Sequence, residues 1–329
     1  MKAIHAVAAA VLLALTAGGV WTEAWSQSNY PDRPVRIFVG FSPGVAPDVT
    51  SRLLADKLTE AWGKPVVVEN VTGAGGNLAV ERLAKSPPDG YTLAMGGNAA
   101  LVINPNLYDK LAYDPLKDFS YISQVFIVPN ILVVTPDVPA KNIQELIALG
   151  KSKPGYLIAG HAGVGTSQHL GGELFMSMTG VKIQQVPYRG TTAVLPDLMA
   201  GRLNIFFGNI SNVLPLVREG KLRAFGITSR KRSPQIPELP TMEELGFSGF
   251  DATAWFGMMA PAGTPQPIIE KINAETRQFA ASPDVRQKLE GLGLQLVGNS
   301  PAEFAKIVHD EIPAWGTVIR KAGIKAAAE

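Results

Sequence analysis

Gly40-Phe41-Ser42-Pro43-Gly44 has the plainest claim to chemistry in this sequence, because G-x-S-x-G is the spacing that lifts a nucleophilic serine onto a strand-to-helix turn. The claim fails at the next residue. The position after the serine must donate its backbone N–H to the developing oxyanion, and Pro43 has none. The turn would also stand on the first strand of the mature chain, before most of a sheet exists. His309 follows in the right order for a base, but it lies in what reads as the solvated start of a helix. Metal chemistry has no better footing. The sequence carries four histidines and no cysteine. His169 and Glu173 stand i,i+4 on a predicted helix and could share a metal, yet no third ligand occurs at a recognisable spacing. Neither G-x-G-x-x-G nor G-x-x-x-x-G-K-[ST] is present, so no nucleotide cofactor is expected.

Three glycine-rich turns carry more. Gly73-Ala74-Gly75-Gly76, Gly160-His161-Ala162-Gly163-Val164-Gly165-Thr166-Ser167 and Tyr188-Arg189-Gly190-Thr191-Thr192-Ala193 each follow a predicted strand and open onto a predicted helix. Such a turn exposes unpaired N–H groups at the positive end of a helix dipole, which attracts a carboxylate; the Thr166 and Ser167 hydroxyls add donors. Ordinary capping accounts for any one of these turns. Three of them beyond the carboxyl ends of parallel strands point to a ligand crevice.

The elements that position these turns alternate. Val35–Phe41 is an apolar, branched run read as a buried strand. Asp48–Trp62 has helical spacing with Asp48 as N-cap, Pro65–Glu69 is a strand, Asn77–Lys85 a helix and Tyr91–Met95 a strand. This βαβαβ order implies a parallel sheet with right-handed crossovers. After the β-rich stretch Tyr121–Thr135, broken by Pro129, a second series runs from helix Asn142–Lys151 to strand Leu222–Thr228. Strand Thr253–Ala260 then leads to helices Pro267–Ala281 and Ala302–Arg320, the last expected to kink at Pro313. The economical arrangement packs these C-terminal helices back on the first unit, so that the chain crosses twice between two α/β lobes with a cleft between them.

Composition narrows the class. Lys2 and the twelve-residue apolar run Ala6–Ala17 read as a secretory signal, with small residues in Ala24-Trp25-Ser26 for cleavage after Ser26 and Thr22-Glu23-Ala24 as the alternative. The remainder has no apolar run long enough to span a bilayer. Its formal charge of +2 gives no footprint for nucleic acid. About 300 residues suit two domains.

The sequence resembles the substrate-binding receptors of tripartite tricarboxylate transporters, the Bug-type periplasmic receptors. The likeness runs in order through Tyr30-Pro31, Phe41-Ser42-Pro43-Gly44 with Asp48 and Arg52, Glu69-Asn70 with Gly73–Gly76, and Asp89-Gly90-Tyr91. It continues through Asn104-Pro105, Tyr113-Asp114-Pro115, Gly165-Thr166 with His169-Leu170, Val186-Pro187-Tyr188 with Gly190, Arg232-Ser233-Pro234 and Trp255 to Pro265. The resemblance implies a type II periplasmic-binding-protein fold: signal peptide 1–26, lobe 1 from 27–127 and 254–329, lobe 2 from 128–253, joined by a hinge around a ligand cleft. It implies a soluble, monomeric, periplasmic receptor without catalytic residues, metal or cofactor. Such a receptor captures a small organic or amino acid for membrane transport subunits; a sensing role beside a membrane signalling protein and a hydrolase built on Ser42 are the alternatives. The ligand carboxylate is then held by the loop Val164, Gly165, Thr166 and Ser167, and His169 is a further ligand-binding candidate. The turn Phe41, Ser42, Pro43, Gly44, Val45 and Ala46, with Asp48, meets the other end. Asn98, Tyr188, Gly190, Thr191, Thr192, Ala193 and Asn209 line the cleft, and Arg189 is not needed as a counter-charge. The chain departs from its relatives at Val45-Ala46-Pro47, where a second glycine is usual, and at Asn98-Ala99-Ala100, where Thr-His-Ala is common. A β-branched Val45 cannot easily take φ > 0, so either the loop differs or the pocket is reshaped.

Overall fold

The computed structural model of the protein describes residues 29–324. The apolar Ala6–Ala17 run and the expected cleavage point lie outside the described residues. The chain divides into a short N-terminal unit ending at Asp32 and a unit running from Arg33 onward, which holds both sheets.

The first sheet grows from β1 (Val35–Val39), buried at four of its five positions. It pairs in parallel with β2 (Val66–Asn70) on one side and β3 (Thr92–Gly97) on the other. Parallel neighbours need a crossover. These are α1 (Ala46–Trp62) and α2 (Asn77–Ala84). Helix α1 starts two residues before the position expected. Val45 is its N-cap at φ −86°, and Pro47 is tolerated in the first turn because an N–H there has no helical acceptor. Asp48 is therefore inside the first turn rather than at the cap. Its carboxylate still accepts the Gly44 N–H, at 2.8 Å.

From β4 (Phe119–Val128) the chain passes through Pro129 alone into β5 (Asn130–Val134), which belongs to the second sheet. There follow α3 (Ile143–Ser152), β6 (Leu157–His161), α4 (Ser167–Thr179), β7 (Ile183–Pro187), α5 (Thr191–Met199), β8 (Ile205–Asn209), α6 (Ile210–Arg218) and β9 (Arg223–Ile227). The chain then returns through β10 (Ala254–Pro261) to the first sheet, followed by α7 (Gln266–Ala281), α8 (Pro283–Gly291), the short β11 (Gln295–Leu296) and α9 (Pro301–Ala322). The sheet orders are β11-β4-β10-β3-β1-β2 and β7-β6-β8-β5-β9.

Strand–helix alternation predicts parallel pairing, and β1–β3 and β6–β8 pair so. The strands that carry the chain between sheets do not. β5 is antiparallel to β8 and β9, and β10 to β3 and β4, because each arrives from the other sheet without a crossover helix. Helices α7 and α9 both pack on β4, which returns the C-terminal region to the first sheet. Helix α9 opens with a Ser300–Glu303 capping box and continues through Pro313. Each sheet has its own core. One is built around Phe38, Leu83, Leu101 and Phe304, the other around Leu132, Leu146, Phe175 and Phe207.

The two crossing segments are laced together by one amide. Asn130, fully buried, donates from Nδ2 to the Ala252 carbonyl at 2.7 Å, and its backbone N–H donates to Thr228 Oγ1 at 3.0 Å. Its Oδ1 accepts from Asn209 Nδ2 at 2.7 Å. Removing one partner of a buried bond costs about 1–3 kcal/mol for each group left unpaired. Asn130→Ala orphans the Asn209 amide and weakens the tie to Ala252, so urea unfolding should show a loss of roughly 2–4 kcal/mol by the same rule. A loss below about 0.5 kcal/mol, the range of ordinary surface changes, would show that the lacing is not structural.

Candidate functional site

The β6–α4 turn places its donors by tying most of them up. Thr166 is the N-cap of α4; its hydroxyl donates to the Gly163 carbonyl at 2.7 Å and faces the His169 N–H at 3.5 Å. Gly163 N–H donates to His161 Nδ1, and Gly165 N–H to His169 Nδ1, each at 3.3 Å. Ala162 N–H donates to Gln168 Oε1 at 2.9 Å. What remains at the helix start is the N–H of Ser167 and of Gln168, which have no acceptor within a helix, and the Ser167 hydroxyl. Ser167 and Gln168 are 5% and 3% exposed, so these donors are desolvated.

Gln168 then spends its amide nitrogen on the neighbouring turns. Nε2 donates to Thr191 Oγ1 at 2.7 Å and to Asn209 Oδ1 at 3.2 Å. Having accepted that bond, the Thr191 hydroxyl keeps its own proton to give. Thr191 opens α5 and Asn209 caps α6, so one side chain aligns the starts of three helices.

These groups form one wall of a narrow cavity of about 30 Å³, with Ala162, Thr166, Ser167, Gln168, Thr191 and Asn209 on the second-sheet side. Phe41, Val45, Pro47, Ala99, Ala254 and Phe256 face them from the first sheet, with Gly97 and Asn98. None of these lining side chains is charged. A larger open crevice of about 600 Å³ includes Thr253, Trp255, Glu311 and Trp315. The two adjoin at Asn98, and alternation along the chain sends Ala254 and Phe256 to the cavity and Thr253 and Trp255 to the crevice. The smaller cavity is the better candidate because desolvated donors converge on it.

The cavity wall includes Phe41, Val45, Asn98, Thr166, Ser167, Thr191 and Asn209 from the residues singled out in the sequence. It adds Pro47, Ala162, Gln168, Ala254 and Phe256. Other expected residues stand off the wall. Asp48 is 2% exposed but is consumed by Gly44, Arg52 and Asn70, so it shapes the Phe41–Gly44 turn from behind. Tyr188 turns its hydroxyl to Asp197 Oδ2 at 2.6 Å. Pro43, Gly44, Thr192 and Ala193 are exposed, and Ala46 lies in a separate small recess beside Gly44. Val164 and Gly165 face the first-sheet glycine turn rather than the cavity. A Cβ on Gly165, at φ +78°, would fall 1.9 Å from Asn104 Oδ1, so glycine is required where the two turns meet. Gly190 is close to Ser42 in the same way; a Cβ there would lie 3.1 Å from Ser42 Oγ. His169 is buried behind the loop, with Nε2 3.6 Å from Glu173 Oε1, too long for a hydrogen bond. No group of three His, Cys, Asp or Glu that could hold a metal occurs among the described residues.

A sequence model of the tripartite tricarboxylate transporter family receptor matches residues 50–324. Protein BugT of Bordetella pertussis is 37% identical over 301 residues, 91% of this chain and 92% of that one. Among solved structures, Rpa4515 of R. palustris with adipate is 36% identical at a TM-score of 0.86, covering 91% of this chain and 100% of that one. MatC from Rhodopseudomonas palustris with bound malate is 34% identical at a TM-score of 0.83, covering 88% and 100%. Such likeness over whole chains shows that the fold described above is that of these receptors.

Both imidazoles must be neutral to accept the Gly163 and Gly165 N–H groups. Burial lowers His161 to about 4, and burial together with the His161 ring lowers His169 to about 3. Each unfolded histidine takes up its proton near pH 6.5, before the folded one does. Their stability contribution is thus complete above pH 6.5 and is lost as the pH falls toward 4 and 3. Glu173, raised by its own burial, opposes this. Urea unfolding between pH 7 and pH 5 should show stability falling, and His161→Asn should flatten the slope. An equally steep slope in the variant would mean that His161 does not carry it.

Proposed function

This chain belongs to the tripartite tricarboxylate transporter receptor family, and we propose that it closes two lobes over a small carboxylate and presents it to the membrane subunits of a transporter of that type. The lobes are residues 27–127 with 254–329 and residues 128–253. The observation that carries this reading is the set of free, desolvated donors at the start of α4: the Ser167 and Gln168 N–H groups and the Ser167 hydroxyl, joined by the Thr191 hydroxyl. They face a cavity without a charged side chain, so the attraction for an anion comes from the helix terminus itself. The relatives that hold adipate and malate support an organic acid as the ligand class.

The receptor works as a monomer in the periplasm, after removal of the segment ending near Ser26. No helix of the described residues is long and apolar enough to cross a membrane. It is not an enzyme. Ser42 is followed by Pro43, which cannot donate to an oxyanion, and the Nδ1 atoms of His161 and His169 are already hydrogen-bonded to glycine N–H groups.

A thermal-shift screen of small acids identifies a ligand, because ligand at about 100 times Kd adds roughly 2.7 kcal/mol of stability. Calorimetric titration of two variants then locates the charge. Ser167→Pro removes the N–H and the hydroxyl, two charge-assisted bonds worth roughly 1.5–3 kcal/mol each, while suiting the first helical position, so affinity should fall about a hundredfold or more. Arg189 is exposed and off the cavity wall, and Arg189→Ala should cost less than about tenfold by the same conversion. Loss of binding in Arg189→Ala with Ser167→Pro unaffected would place the anion on a side chain and overturn this reading.

A further inference from the structure

Helix starts from both sheets reach this cavity, and those of the second sheet are chemically unlike the one from the first. At α4 two N–H groups and the Ser167 hydroxyl are free, and the Thr191 hydroxyl joins them from the start of α5. At α1 the N-cap is Val45, which offers no side-chain acceptor or donor, and Pro47 occupies the first turn without an N–H. The Gly44 N–H just before it is taken by Asp48 Oδ2. Val45 takes φ −86°, so the loop accommodates its branched side chain without strain, and Val45 and Pro47 both stand on the cavity wall.

The rest of that wall repeats the pattern. Phe41, Ala99, Ala254 and Phe256 are apolar. Asn98 is the one polar side chain on the first-sheet side, 3% exposed, and its Nδ2 donates to the Thr253 carbonyl at 3.0 Å. The carbonyl partner fixes which end of the amide is nitrogen. Asn98 therefore keeps one amide N–H and its acceptor oxygen for anything else. Arg52 is bound to the Asp48 carboxylate at 2.9 Å and to Asn70 Oδ1 at 2.9 Å, and neither it nor Arg230 and Lys231, which line the adjoining crevice, lines the cavity.

We infer that the ligand is a monocarboxylate with a compact, uncharged, apolar tail, and that dicarboxylates are discriminated against. The inference rests on the reading of the α4 terminus as the carboxylate site. With one carboxylate there, the remainder of the ligand lies against Phe41, Val45, Pro47 and Phe256. A tail of methylene or methyl groups gains burial on that wall. A second carboxylate loses its water and meets one amide N–H at Asn98 and otherwise apolar carbon, with no paired charge to offset the loss. Specificity here comes as much from what the first-sheet wall withholds as from what α4 offers.

Titration calorimetry on the mature chain with three five-carbon acids tests this: pentanoate, 3-methylbutanoate and glutarate. The two monocarboxylates should bind at least tenfold more tightly than glutarate. Val45→Gly combined with Pro47→Ala restores an N–H and removes the branched wall, and it should narrow that preference by about tenfold or more. Its thermal unfolding checks that it is folded; if it is not, the wild-type comparison alone decides. Glutarate binding more tightly than both monocarboxylates, and losing that affinity in Ser167→Pro, would overturn the inference while leaving the α4 site standing. Binding of none of the three acids, together with no response to any acid in the thermal screen, would overturn both.

Discussion

The Gln168 carboxamide is the contact on which the rest of the site depends. It accepts from Ala162 and donates to Thr191 and Asn209, so three turns from separate parts of the chain share one small group. The line continues through Asn209 to Asn130 and on to the Ala252 carbonyl, beside the segments that join the sheets. Buried amides of this kind are tolerable only when their donors and acceptors are met, and Gln168 meets all of its own with groups that have few alternatives. The consequence for function is subtractive. Acceptors are used up among themselves, and the groups left over at the helix starts are donors. A site that recognises an anion without an arginine or lysine needs that imbalance.

The glycine turns serve a second constraint, the approach of the two sheets. Gly75 and Gly163 come so close that a Cβ on Gly163 would lie 3.2 Å from the Gly75 nitrogen, and Gly165 sits against Asn104. These glycines were legible in the sequence as anion-binding turns. Their N–H groups instead go to His161 and His169, or lie outside the cavity, and their small size is what the fold uses. Both pressures favour glycine after a strand, which is why the sequence alone could not separate them.

Much of the fold could be read in advance, because strands such as Val35–Val39 and helices such as Ala46–Trp62 carry a plain periodicity. The return of the C-terminal helices to the first sheet followed from helices resuming after the second α/β unit. Elements without a period escaped notice. Ala99–Ile103 is buried on every side and has no polar face to mark it as helical, and α8 has only Val285 and Leu289 to bury. At the site, Ser167 and Thr191 were visible from their positions at strand-to-helix turns, and Asn209 only through the family resemblance. Gln168 was not, since the turns it joins are far apart in sequence; its only signal is that it follows Ser167 at the second position of a helix. Asp48 and Tyr188 drew attention as polar groups near the turns, but each is satisfied by its own neighbourhood.

The central claim is that an anion is held by main-chain donors at the start of α4 with no counter-charge from a side chain. Amide nitrogen–proton correlation spectra during titration with a bound acid test it at the atoms concerned. The largest downfield proton shifts should fall on Ser167 and Gln168, with the Arg189 side-chain resonances unmoved. Unchanged Ser167 and Gln168 amides, with the large shifts on an arginine or lysine side chain, would contradict it.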